Sequence, residues 1–155
     1  MATQKSVRAA QLAVAPLQQI EQGERAGRVH VLYDEFQPVA AIVPNATVIE
    51  FQPLPAGARV IDVQLSFPDQ GTTGTCKLGW KASADAVEAA DDDGFLAAAS
   101  LKAAADTFSM QDEANVPGHG KKFASEVVPA ITMTEATDAS SLTVPWRLVI
   151  EYVLD

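Results

Sequence analysis

Five carboxylates crowd into residues 85 to 93, Asp85, Glu88, Asp91, Asp92 and Asp93, and clustered oxygens of this kind are what a hard cation such as Ca²⁺ takes as ligands. The order lacks the alternating ligands, mid-loop glycine and closing glutamate of an EF-hand loop. Three consecutive aspartates equally suit the start of a helix, where they cap orphan amides and complement the dipole. The second concentration of chemistry is Pro117-Gly-His-Gly-Lys-Lys122, a basic spot whose glycines would let backbone amides approach an anion. Its spacing does not match a phosphate-binding loop, and no strand-loop-helix pattern surrounds it, so a surface loop is the simpler expectation. Cys76 is the only cysteine, and His30 and His119 are the only histidines. Disulfides within the chain and thiolate-rich zinc sites are therefore excluded, and little is left for a nucleophile-base pair or a histidine metal site.

Positioning falls to short β-branched and aromatic runs separated by Pro, Gly, Asn and Asp, the spacing of an antiparallel all-β domain. Val29, Val31 and Tyr33 alternate with His30, Leu32 and Asp34, and Ile49 and Phe51 share a face in the run from Thr47 to Gln52. The strongest signal lies between Ala58 and Pro68. There Ile61, Val63, Leu65 and Phe67 alternate with Asp62, Gln64 and Ser66, which predicts one buried and one wet face. After the turn cluster Pro68 to Gly74, the run from Thr75 to Lys81 puts Cys76, Leu78 and Trp80 together, and the two runs are expected to form a hairpin. Cys76 then reads as a small core residue, and Trp80 and Trp146 as core anchors.

Phe95 to Ala105 has the composition of a helix of one to three turns, started by the aspartates. A short strand at Thr107 to Met110, and strands at Phe123 to Val128 and Ala130 to Thr134 broken by Pro129, follow. The final run from Leu142 to Leu154 places Leu142, Val144, Trp146, Leu148, Ile150 and Tyr152 on one face. Its loss is expected to prevent folding. Residues 1 to 27 show neither a 3.6 nor a 2-residue period and read as an extended N-terminal arm, with Leu12, Val14, Leu17 and Ile20 available to dock on a neighbouring subunit. Residues 28 to 155 read as a single β-sandwich domain.

Composition fits a scaffold better than a catalyst. The 155 residues carry 11 Lys+Arg against 20 Asp+Glu, a net charge of −9, which disfavours a nucleic-acid partner. Of the 48% hydrophobic residues, 27 are alanines, so the large side chains that stabilise a core are scarce. No apolar run reaches the length of a membrane-spanning helix, and the first residues lack the apolar stretch of a secretory signal. No membrane association and no cofactor are expected. A cupin-type enzyme would need clustered histidine and carboxylate ligands that two separated histidines do not provide.

The block from Leu54 to Trp80, Leu-Pro-Ala-Gly-Ala-Arg-Val-Ile-Asp-Val followed by Asp69-Gln-Gly-Thr-Thr-Gly-Thr75 and Leu78-Gly-Trp80, with Phe95-Leu-Ala-Ala-Ala-Ser100 after it, resembles a pattern of small structural proteins of tailed bacteriophages. The family implied is that of capsid decoration, or cement, proteins. The resemblance spans about residues 45 to 105 and, more loosely, the last strand. It implies a jelly-roll-like antiparallel β-sandwich and no enzyme activity. It further implies a major capsid protein as partner, assembly as a homo-oligomer (dimer or trimer), and a place on the capsid exterior after synthesis in the bacterial host cytoplasm. The resembling positions are turn and core positions, so they carry no catalytic or ligand residue. A head-fibre or tail-associated sandwich that binds a receptor or carbohydrate is the alternative, with Tyr33, Trp80, Phe108 and Tyr152 as its candidate aromatics.

Overall fold

The computed structural model describes residues 28–38, 43, 46–101, 106–112, 116–138 and 143–154. The arm residues Leu12, Val14, Leu17 and Ile20 lie outside the described residues, as does Leu142. Among the described residues eight strands follow in order: β1 Val29–Phe36, β2 Val48–Glu50, β3 Ala58–Phe67, β4 Thr75–Trp80, β5 Asp91–Ser100, β6 Asp106–Ser109, β7 Pro129–Glu135 and β8 Trp146–Leu154. A 3-10 turn, Met110–Asp112, follows β6. The strands form two four-stranded antiparallel sheets of order β1-β8-β3-β6 and β2-β7-β4-β5. This is the all-β sandwich expected, with the strand inventory of a jelly roll.

The core lies between the sheets, and period-2 patterning places most of it. Leu32 of β1, Val63, Leu65 and Phe67 of β3, and Trp146, Leu148 and Ile150 of β8 face Ile49, Cys76, Leu78, Trp80, Ile131 and Met133 of the other sheet. Trp80 and Trp146 are core anchors, 4% and 0% exposed. Trp80 donates its indole N–H to the Ala89 carbonyl at 2.9 Å. Trp146 Nε1, by contrast, has no partner among the described residues. Because β8 runs between β1 and β3, losing it would break one sheet in two.

Four local expectations are corrected. Where the composition predicts a helix from Phe95, residues 91 to 100 form β5, paired with β4. A helix of this length is marginal alone, whereas pairing with β4 buries Phe95, Leu96 and Ala99; tertiary packing overrides propensity. The aspartates therefore open a strand, and capping is not their role. Second, β3 and β4 are not a hairpin: β3 pairs with β6 and β8, and β4 with β5 and β7. The Pro68 to Gly74 turn crosses between the sheets, held by Asp138, whose Oδ1 accepts the Thr72 N–H at 2.8 Å.

Third, Ile61 does not share the buried face with Val63. The β3–β8 register shifts between Val60 and Asp62, so Ala58 and Val60 point inward before this bulge and Val63, Leu65 and Phe67 after it, leaving Ile61 exposed. One extra residue in a strand inverts the facing of everything beyond it. Fourth, the ends near prolines differ. β8 begins at Trp146, after Pro145, with Val144 exposed. Phe123 to Val128 is not a strand and makes only the isolated Leu54–Val127 bridge, while Pro129 opens β7 instead of interrupting a longer strand. A proline at a strand's first residue sacrifices no interior ladder bond.

Candidate functional site

The acidic cluster is built by the irregular β4–β5 pair. Trp80 pairs with Asp91 and Leu78 with Leu96, so a two-residue step on β4 spans five on β5, and the surplus draws Asp91, Asp92 and Asp93 together. Their carboxylate oxygens lie within 4.8 Å of one another. Countercharge comes from within: Lys77 Nζ is 3.3 Å from Asp93 Oδ2 and 3.5 Å from Asp92 Oδ2. Partial burial, then its neighbours' charge and hydrogen bonding, raises the Asp91 pKa, whereas hydrogen bonds from Asp91 and then Lys77 lower that of Asp93. The cluster is thus a surface feature whose negative charge Lys77 partly offsets. No other group of three His, Cys, Asp or Glu side chains with metal-ligand spacing occurs among the described residues.

Asp85 and Glu88 serve a different purpose, pinning the turn before β5. Asp85 accepts hydrogen bonds from the Ser125 and Ser83 hydroxyls and the Val87 N–H, which hold its carboxyl at about 2. Burial pushes the Glu88 pKa up, but the Ala124 N–H at 2.7 Å and the Lys121 ammonium at 3.0 Å outweigh it and leave the net shift downward. Folded-state pKa values below the unfolded ones mean a contribution to stability that is full above about pH 4 and lost as pH falls toward 2. The melting temperature should therefore fall on acidification through that window, and Asp85→Asn should flatten the fall. Parallel wild-type and variant curves would remove Asp85 from this role. Asp91, with its raised pKa, contributes in the opposite sense.

The glycine-rich basic turn offers no anion cradle. The amides of Gly118, His119, Gly120 and Lys121 all donate to carbonyls, of Gly94, Val116, Val60 and Gly118. Gly118 is buried, and Lys121 lies over the Trp80 and Phe123 rings, 5.4 and 5.1 Å from their centroids. The segment is an anchored turn against the core. His119 is exposed in the turn and His30 stacks on Tyr152 at 5.5 Å, so the two histidines sit on separate elements. Cys76 is fully buried, and burial pushes its thiol up to about 12, so it has no thiolate to offer at neutral pH.

The four candidate sugar-stacking aromatics are not brought together. Trp80 is core, Phe108 stacks on Phe67, Tyr152 faces inward against His30, and Tyr33 alone is exposed, on the outside of β1. A groove of 380 Å³ across the second sheet, lined by Val48, Ala90, Ala130 and Thr132, has only Lys81 and Asp92 as charged groups. What sequence reasoning missed is the outer face of the first sheet. Val29, Val31 and Tyr33 of β1 are 56%, 60% and 53% exposed, and Val149 of β8 lies beside Tyr33. Alternation alone shows two faces for β1, and the buried one proves to be that of Leu32. The β-branched face is the outer one, fit for contact and not for chemistry.

Two solved structures share the fold. A solved structure titled "Capsid of Ralstonia phage GP4" contains a chain that matches with a TM-score of 0.64 at 16% identity, over 89% of this chain and 92% of that one. Its fold is that of a chain in a phage capsid. A second chain, from the "Cyanophage Pam1 capsid asymmetric unit", matches with a TM-score of 0.61 at 19% identity over 100% of both chains. No family model matches the sequence. No curated protein matches it either. The likeness is one of fold, and it extends over nearly the whole length of each chain.

Proposed function

We propose that this protein is a virion structural protein that binds the outer surface of a phage capsid and bridges neighbouring capsomers to stabilise the shell. The observation that carries this reading is the match of the 155-residue chain, over 89% and 100% of its length, to chains from two phage capsid structures. Two features of the described residues support it as well: Asp85, Glu88 and Asp92 are engaged in turns and ion pairs, and β1 presents Val29, Val31 and Tyr33 to the outside. The function is binding without chemistry. The major capsid protein is the partner, and the chain acts as a homo-oligomer, made in the host cytoplasm and placed on the virion exterior. Residues 1 to 27 form an arm whose Leu12, Val14, Leu17 and Ile20 contact a neighbouring capsid or decoration subunit.

Bridging stabilises a shell because the interface exists only in the assembled particle, so binding shifts the equilibrium toward it. Many identical copies add avidity. The net charge of −9 suits an outer coat facing solvent better than an inner layer facing DNA. Purified protein mixed with undecorated capsids of its own phage should sediment with them, saturate, and raise the temperature at which the particles open. Failure to sediment with intact capsids would overturn the proposal. A fibre or tail protein that binds glycans is less well supported, since its aromatics are dispersed.

A further inference from the structure

Three grooves on the described surface differ in charge. The one across the second sheet sets Lys81 against Asp92, and one of 580 Å³ beside β6 sets Arg147 against Asp106. The third, of 350 Å³, lies between the end of β2, the turn after β4 and the approach to β7, and it has three carboxylates, Glu50, Asp85 and Glu126, against Lys81 alone. Lys81 is already spent on Glu50, 2.6 Å away. Asp85 keeps its charge in the groove while its oxygens accept from Ser125, Ser83 and Val87. Glu126 is exposed and has no hydrogen-bond or ion-pair partner among the described residues. Between these charges the walls are apolar, formed by Ala82, Ala84 and Val128. They are also tied together: Ser125 bonds Asp85 from one wall to the other, the Ala124 N–H donates to Glu88, and the Lys81 N–H donates to the Val128 carbonyl at 2.9 Å. A groove so held has its shape before anything enters it, which lowers the entropy lost on binding.

We propose that this groove receives one cationic side chain, an arginine in preference to a lysine, from the capsid subunit on which the sandwich sits. This contact presupposes the capsid reading and gives it a face of the molecule and a recognition chemistry. A long cationic side chain joins an apolar stem to a charged head, so the stem lies along Ala82, Ala84 and Val128 while the head reaches Glu126. Glu126 supplies the hydrogen bonds, and Asp85, whose oxygens are engaged, supplies charge. A volume of 350 Å³ stands near the lower end of the roughly 300–1,000 Å³ of clefts that enclose small ligands, which is room for one such side chain. Glu50, Asp85 and Glu126 do not gather at metal-ligand spacing, so an extended cation suits them better than a metal ion. Arginine is preferred because its planar fork donates to several acceptors at once and gives up its water more readily than an ammonium does.

The full chain is tested with and without capsids. On undecorated particles of its own phage, Glu126→Lys should weaken binding at least about tenfold, and Ala84→Leu, which fills the groove without changing charge, should weaken it as well. Asp112→Lys makes the same change in charge at the exposed 3-10 turn after β6 and should stay within about twofold of wild type. All three positions are exposed, so the variants should melt within about 2 °C of wild type. In free solution, N-acetyl-arginine amide should shift the amide resonances of Ala84, Ser125 and Glu126, and its uncharged citrulline analogue should not. If the wild-type protein ignores capsids yet distinguishes the two amides, the capsid reading falls, and the source of the cation with it. If it binds capsids while Glu126→Lys and Asp112→Lys behave alike, the groove alone falls. No greater response to the arginine amide than to the citrulline amide would also overturn the site. A Glu126→Lys chain that sediments differently from wild type in free solution would overturn the capsid as the source and assign the groove to another copy of this chain.

Discussion

A chain that begins at Arg28 is expected to fold with an unchanged melting temperature and to lose its hold on capsids. The folding half follows from the core, whose described members run from Leu32 to Ile150. The binding half follows from composition. A segment with Leu12, Val14, Leu17 and Ile20 and no sustained period is expected to gain its stability by docking, so that on the proposed reading sandwich and arm make a two-point attachment. Removing one point from such a pair commonly costs about a hundredfold or more in apparent affinity. Circular dichroism and thermal melts would check the first half, and occupancy on undecorated particles the second. Equal occupancy by the truncated and full chains would sink the arm assignment. An unfolded truncation would instead show that the domain begins before Arg28.

Gly94→Ala is expected to be among the most damaging single methyl additions in the protein. A Cβ at Gly94 would lie 2.1 Å from Cζ3 and 2.3 Å from Cη2 of Trp80, inside any permissible contact. Trp80 cannot step aside easily. Its ring packs at 5.0 Å against both Phe95 and Phe123, and its N–H is held by Ala89. Overpacking of this kind costs about 3 kcal/mol, at the upper end of its usual range, and for a chain of this size that lowers the melting temperature by roughly 10 °C. The mechanism predicts coupling: in a Trp80→Leu background, where the indole is gone, the same Gly94→Ala change should cost less than about 1 kcal/mol. A Gly94→Ala protein melting within about 2 °C of wild type would refute the close approach. An equal cost in both backgrounds would place the clash elsewhere.

That glycine marks the boundary between what was readable in advance and what was not. Trp80, Trp146, Leu78 and Leu148 were legible as core because each sits in a two-residue alternation, and alternation is a local property of the chain. Gly94 gave no such sign. In sequence it is a turn residue before an alanine-rich helix, and only pairing with β4 turns it into the floor beneath an indole. The candidate sites were legible to a similar degree. The scarcity of histidine and cysteine excluded most catalytic arrangements outright, while the roles of Asp85, Glu88 and Lys121 as clamps on the turns around the core depend on partners 36 to 40 residues away for Ala124 and Ser125.

Composition and local alternation set the class of the molecule: an acidic all-β domain with period-2 strands and two tryptophan anchors. Those conclusions rest on composition and on neighbours within a few positions, which the chain carries wherever it folds. Tertiary structure decided the rest. It chose strand over helix for residues 91 to 100, placed β3 and β4 in different sheets, turned Ile61 outward at a bulge, and faced Val29, Val31 and Tyr33 to the outside. Each of these depends on which distant strand lies alongside, and the free energy of such pairing comes from burial shared between segments, a quantity that neither segment contains alone.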